Sequence, residues 1–202
     1  MKRLRNLIPL LVLLFATTPV AAEEMAGTAK TVLAGGCFWC MEADFEKLDG
    51  VIDVISGFTG GEVENPTYNG NHAGHYEAVE ITYDTSKLSY HDILDHYWVN
   101  IDPFDDDGQF CDKGHSYLAA IFVANEKERK IAVETKRAVE KEFPEQKVAT
   151  KILDASIFWP IKGSESYHQD YYKNNPLRYK FYRFNCGRDA RLKEIWGERA
   201  TH

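Results

Sequence analysis

KTVLAGGCFWCMEADFEKL, residues Lys30 to Leu48, decides the fold class. Lys30 to Ala34 reads as a short buried strand and Gly35-Gly36 as a tight turn, while Phe38 to Leu48 sets Phe38, Met41 and Phe45 on one face of a helix. Working outward, Val51 to Phe58 reads as a second strand. Glu77 to Tyr83 alternates, with Val79, Ile81 and Tyr83 as its apolar face. Ser89 followed by Asp92 predicts a capped helix start, with Ile93, Leu94, Tyr97 and Trp98 at helical spacing. Leu118 to Ala124 is a further strand, Asn125 caps a long charged helix reaching about Phe143 with Ile131, Ala138 and Phe143 toward the core, and Val148 to Leu153 is another strand. Strand, helix, strand, strand, helix, strand is the order of an α+β, ferredoxin-like two-layer sandwich with a mostly antiparallel sheet. From about residue 170 an irregular C-terminal tail is expected.

The whole chain has 202 residues, 24 Lys and Arg against 31 Asp and Glu, 44% hydrophobic residues and four cysteines. That apolar fraction excludes intrinsic disorder, and four cysteines in this length are too few for a disulfide scaffold. A net charge of −7 argues against nucleic acid and anionic membranes, which reward a basic surface. No linker, repeat or low-complexity tract divides the chain, so one domain from about Thr28 to Gly197 is the simplest parse.

The first 22 residues have the layout of a cleaved secretory signal peptide: Lys2, Arg3 and Arg5, an apolar run from Leu7 to Phe15, and Val20-Ala21-Ala22 ahead of Glu23. The run is well short of the ~20 residues a spanning helix needs. Residues 23–202 are therefore expected to be periplasmic or secreted, with no membrane association after cleavage.

The cysteines are Cys37, Cys40, Cys111 and Cys186. Cys37 follows the glycine turn at a helix N-terminus, where unpaired N–H groups and the macrodipole favour a thiolate, so it is the position for a nucleophile. Structural pairing remains an alternative, as does metal: Cys37 and Cys40 share x₂ spacing with His72 and His75, although zinc histidines usually have three to five residues between them. A thioredoxin-like dithiol is a third reading, but such a loop normally carries a proline where this one has Phe38-Trp39. Those aromatics imply an apolar pocket beside the reacting sulfur.

Gly35-Gly36-Cys37-Phe38-Trp39-Cys40-Met41-Glu42 resembles the signature of peptide-methionine (S)-S-oxide reductases of the MsrA type. The resemblance extends through Gly57-Phe58-Thr59-Gly60-Gly61, Asn65-Pro66-Thr67-Tyr68, Gly74-His75-Tyr76-Glu77-Ala78-Val79, Cys111-Asp112-Lys113-Gly114 with Ser116-Tyr117, and Tyr167-His168-Gln169, in the family's order. It implies thiol-dependent reduction of the S epimer of methionine sulfoxide, free or in proteins, through a Cys37 sulfenic acid. It further implies that Phe38 and Trp39 hold the S-methyl group, that Glu77 serves the sulfoxide oxygen as an acid, that Tyr68 and Tyr117 donate to the same oxygen, and that Asp112 orders the site. Attack on sulfur builds charge on oxygen, which is why an acid and two phenols belong there. His72 and His75 receive no catalytic role, and His168 and Gln169 are expected to support the pocket wall.

A second thiol must condense with the sulfenic acid to reset Cys37. A well-known family layout has two resolving cysteines in a glycine-rich tail, and this tail has one, Cys186; it is the expected resolving thiol, with Cys111 and Cys40 as alternatives. No bound cofactor or metal is expected, electrons should come from an external thioredoxin-type dithiol, and the protein should be a monomer. Arg178 to Lys193 holds six basic residues and one acid, interleaved with Tyr179, Phe181, Tyr182 and Phe184, and reads as a solvated face suited to an acidic reductant. The competing functions are a disulfide oxidoreductase using Cys37 and Cys40, and a zinc-stabilised binding module.

Overall fold

The computed structural model describes residues 27–200. The signal peptide expected over residues 1–22 lies outside them, and among the described residues no helix is long and apolar enough to cross a membrane. The deciding stretch folds as its spacing requires, with β1 (Thr28–Gly35) turning into α1 (Phe38–Phe45). Gly36 has φ +82° and a Cβ there would meet the Gln109 Cβ at 2.6 Å, so the turn needs glycine for its conformation and for its neighbour.

The chain continues through β2 (Val51–Thr59), β3 (Tyr76–Asp84) and α2 (Tyr90–Trp98). A small hairpin follows, β4 (Gly108–Gln109) and β5 (Asp112–Lys113), then β6 (Ala119–Val123), α3 (Glu126–Glu142), β7 (Lys151–Asp154) and β8 (Trp159–Pro160). Three helices end it: α4 (Tyr171–Asn174), α5 (Pro176–Asn185) and α6 (Arg188–Trp196). The six-stranded sheet has the order β7-β6-β1-β3-β2-β8. Every pairing is antiparallel except β6 with β7, and the inner four strands carry the ferredoxin-like order.

The strand alternation builds two layers of contact. Leu33, Val79, Ile81 and Ile121 pack in one core with Phe38, Met41 and Phe45 of α1 and Ile93, Leu94 and Tyr97 of α2. A second cluster gathers Ala34, Tyr76, Ala78, Ala120 and Phe122. Both predicted caps form. Ser89 and Asp92 make a reciprocal capping box, and the Asn125 side chain accepts the Glu128 N–H.

Two expectations are corrected. The buried face of α3 is Ala132, Thr135 and Val139; Ala138 is exposed, while Ile131 and Phe143 are only partly buried. Hydropathy passes over Thr135, yet its hydroxyl can go inside because it donates to the Ala132 carbonyl at 3.1 Å. The tail is not irregular: it is helical and wraps α1.

That wrap explains why seven of the eight α1 residues are buried, Glu42 and Asp44 included. Cys40 and Ala43 pack against Tyr171 and Tyr179. Asp44, 2% exposed, pairs with Arg183 at 2.9 Å and Arg188 at 3.6 Å, which stand three residues before and two residues after Cys186. Burial alone would raise the Asp44 carboxyl, but the guanidiniums of Arg183 and Arg188, with Lys47, hold it below its usual range.

Removing one member of a buried ion cluster leaves its partners uncompensated. Asp44→Ala is expected to cost about 3–5 kcal/mol, measured as a lowered urea midpoint. Because the folded pKa is depressed, the contribution of Asp44 is fully present above its ordinary value and is lost as the pH falls from there through the lower folded one, so wild type and variant should converge only in strong acid.

Candidate active site

α1 begins without a side-chain cap. Cys37 is its N-cap residue, and the thiol makes no capping bond. The first helical N–H, that of Phe38, donates instead to Glu77 Oε2 at 3.1 Å, reaching across from the start of β3. One bond therefore satisfies an orphan helix donor and fixes a carboxyl beside the nucleophile candidate.

Glu77 is 2% exposed. Burial is the main force on it and raises its pKa; the Phe38 N–H and the Tyr117 hydroxyl pull it down, Asp112 and Cys40 push it up, and the result is about 8. At neutral pH it keeps its proton. Tyr68 and Tyr117 are half-buried, and desolvation together with the neighbouring Glu77 raises both phenols, which stay donors.

The thiols depart from the simplest expectation. Burial pushes Cys37 well up, helped by Cys40 and Glu77, so the helix terminus does not make it a resting thiolate. Cys40 is held down to about 7 by its hydrogen bond with Cys37, against burial, with help from Arg188 and Arg183. The first charge at the pair thus resides on Cys40, and the Cys37 proton faces it.

Tyr182 and Asp112 complete a polar chain. Tyr182 donates to Asp112 Oδ2 at 2.5 Å and also lies within hydrogen-bonding reach of the Cys37 sulfur. It has one proton to give, so it can turn to Cys37 when Asp112, whose pKa is raised by burial, carries its own. Cys186 Sγ lies 3.8 Å from the same Asp112 oxygen. Cys186 is disulfide-bonded to Cys111, while Cys37 and Cys40 are free and buried.

The aromatic wall forms from separate segments. Phe38 is fully buried, packed against Phe58, Tyr68 and His168 with ring centroids 5.6–6.0 Å away. Trp39 is half-buried and stacks on Tyr171 at 3.8 Å. Its indole N–H donates to His168 Nδ1 at 3.0 Å, which leaves the ring proton of a neutral His168 on Nε2. Trp39, Tyr68, Tyr167, His168, Tyr171, Asn175 and Arg178 line an open cavity of about 370 Å³. Glu165 holds the Tyr68 loop by accepting the N–H groups of Tyr68 and Asn69, each at 2.8 Å.

The histidines read from the sequence as possible ligands are otherwise engaged. His75 Nδ1 accepts the Gly61 N–H and its Nε2 donates to the Val63 carbonyl, while His72 lies against the Thr67 carbonyl. Gln169 braces the wall as expected, bonding both backbone groups of Ser56 and the Ile161 carbonyl. Tyr182, Arg183, Arg188 and Asp44 are not legible as site residues in a motif search, yet Tyr179, Tyr182, Arg183 and Cys186 fall three, four and seven apart, the inner face of a helix.

A family model described as peptide methionine sulfoxide reductase matches residues 29–200. The chain belongs to that family. The reductase is 48% identical over 190 residues to peptide methionine sulfoxide reductase MsrA 2 of Caulobacter vibrioides, covering 93% of this chain and 94% of the relative. It is 47% identical over 170 residues to MsrA of Bacillus licheniformis, covering 82% and 92% respectively. The solved structure of methionine sulfoxide reductase A from Corynebacterium diphtheriae superposes with a TM-score of 0.64 at 28% identity, over 76% of this chain and 78% of that one. The α+β fold expected from the order of elements and the reductase class expected from the signature blocks hold, and the zinc-module and paired-dithiol readings give way to them.

A carboxyl whose folded pKa is about 8 binds a proton that the unfolded chain releases above its ordinary value of 4.5. Stability should therefore fall as the pH rises from 4.5 to 8 and level off above it. Glu77→Gln, which cannot ionise, is expected to flatten that slope and raise the melting temperature by a few degrees at pH 8, as seen by thermal unfolding across a pH series.

Proposed function

We propose that the reductase converts the S epimer of methionine sulfoxide, free or within proteins, to methionine with Cys37 as nucleophile. The observation that carries this is the buried, protonated Glu77, bonded to the Phe38 N–H at 3.1 Å next to the Cys37 sulfur. Phe38 and Trp39 enclose the S-methyl group, an apolar site beside a polar one.

Cys37 sulfur attacks the sulfoxide sulfur as its own proton passes to Cys40. The sulfoxide oxygen takes the proton of Glu77, and the phenols of Tyr68 and Tyr117 donate to it, so the developing charge is met by groups already in place. Collapse gives methionine and Cys37 sulfenic acid: the methionine sulfur gains two electrons and the cysteine sulfur loses them, while the oxygen moves from one to the other. Asp112 orders Tyr182 against the nucleophile.

Cys186 resets the site. Its sulfur attacks the sulfenic acid, forming a Cys37–Cys186 disulfide and releasing water; Cys111 then attacks Cys186, which frees Cys37 and leaves a Cys111–Cys186 pair. Support for this order comes from the disulfide itself and from the free Cys37. An external thioredoxin-type dithiol supplies the two electrons, and no bound cofactor enters any step. The reductase works in the periplasm or as a secreted protein, a placement supported by the basic, apolar and small-residue order of residues 1–22.

An epimer-resolved assay with methionine sulfoxide and dithiothreitol tests the reading. Cys37→Ser should abolish turnover, and survival of more than a trace would move the nucleophile elsewhere. Glu77→Gln should lower kcat about 10² to 10⁴-fold, and the wild-type rate should decline as the pH rises through about 8, where Glu77 loses its proton. A variant as fast as wild type at pH 7 removes Glu77 from the mechanism.

Cys186→Ser should release one methionine per enzyme and then stall with a trappable sulfenic acid on Cys37. Dithiothreitol, attacking that acid directly, should restore turnover. Rapid disappearance of the sulfenic acid in the variant would instead make Cys111 or Cys40 the resolving thiol, and peptide mapping of the disulfide formed on Cys37 tells which.

A further inference from the structure

The reset leaves an oxidised Cys111–Cys186 pair for an external dithiol, and its surroundings are unusual. Cys111 is exposed at the turn of the β4–β5 hairpin, and Cys186 ends α5. Among the described residues, six large hydrophobic side chains are exposed, and three of them lie on this one helix: Leu177 (84%), Phe181 (72%) and Phe184 (82%). Spaced four and three apart, they form a stripe along the outer face, while Tyr179 and Arg183 fill the inner face. Exposed Arg178 and Lys180 flank the stripe, on a chain whose net charge is −7.

We infer that the Leu177–Phe181–Phe184 stripe is the docking surface for a thioredoxin-fold dithiol protein, which seats on α5 and attacks the Cys111 sulfur of the Cys111–Cys186 disulfide. This rests on the reading that the pair is the enzyme's terminal disulfide. An apolar row on the helix whose C-terminal end carries this disulfide, with its exposed Cys111, suits a partner that must bring its own sulfur to that bond, and the two flanking cations favour one with an acidic rim. The stripe ends at Phe184, two residues before the bond to be broken.

The geometry also selects which sulfur is attacked. Cys111 is the more exposed partner, and its backbone N–H points at Cys186 Sγ from 3.2 Å, a donor ready to stabilise Cys186 as the leaving thiolate. A donor thiolate bonds to Cys111 sulfur as the Cys111–Cys186 bond breaks. The second donor thiol then displaces Cys111, so the donor ends as a disulfide and the enzyme as two thiols. Cys186 is released toward Asp112 and Tyr182, the groups that lead to Cys37.

Turnover is measured with two donors, thioredoxin regenerated by its reductase and NADPH, and dithiothreitol. Leu177→Glu, Phe181→Glu and Phe184→Glu combined should raise the KM for thioredoxin at least tenfold and leave the dithiothreitol rate within twofold. If the triple variant loses activity with both donors, Phe181→Glu alone decides the matter. An unchanged KM for thioredoxin overturns the docking surface, as does a concentration-dependent dimer of wild type that Phe181→Glu abolishes. A thioredoxin whose second active-site cysteine is replaced by serine should be trapped on Cys111; trapping on Cys186 or Cys37 overturns the direction of attack. Wild type turned over by dithiothreitol but not by thioredoxin refutes this inference alone, whereas no turnover with either donor refutes the reductase reading beneath it.

Discussion

An eight-residue helix is too short to persist in water by itself, and here it must also present a sulfur at a defined point. What holds its first turn is the bond from the Phe38 N–H to Glu77. The donor has no partner within its own helix, and the acceptor is a carboxyl on a strand already fixed in the sheet by its pairing with β1 and β2. Position and chemistry are thereby joined: the group that anchors the helix is the buried carboxyl beside its N-cap cysteine.

The electrostatic consequences follow from burial. A carboxyl and two thiols out of water cannot all be charged, so their protons are distributed among Glu77, Cys37 and Cys40, with the hydrogen bond from Cys37, helped by Arg188 and Arg183, drawing the single charge to Cys40. Asp44 balances those guanidiniums from beneath. The arrangement carries a stability cost at neutral pH, since an ionisable group is kept neutral against its preference in the unfolded chain, and the apolar packing of α1 on the sheet offsets that cost.

The sheet and both capped helices were legible because they rest on local signals: period-two alternation in β3, the Ser89–Asp92 box, Asn125 ahead of a long helix. So was the cluster of Cys37, Glu77 and Tyr117, through the ordered blocks in which they occur, and the structure brings these side chains together. The inward face of α3 escaped because a threonine was buried. The tail escaped for a related reason. Its inner face is Tyr179, Tyr182, Arg183 and Cys186, three of them polar or charged, and hydropathy sees an amphipathic helix only when the buried side is apolar.

The Cys111–Cys186 bond ties a hairpin tip to a helix end across 75 residues of chain. Closing a loop of that length restricts the denatured ensemble by about 4 kcal/mol in chain-entropy terms. On the proposed reset, which makes and breaks this bond in every cycle, the enzyme alternates between a cross-linked form and an open one. Proteolytic nicking of residues 171–196 would then keep a record of redox poise: chains waiting for electrons resist cleavage, and freshly reduced chains are the ones that are cut.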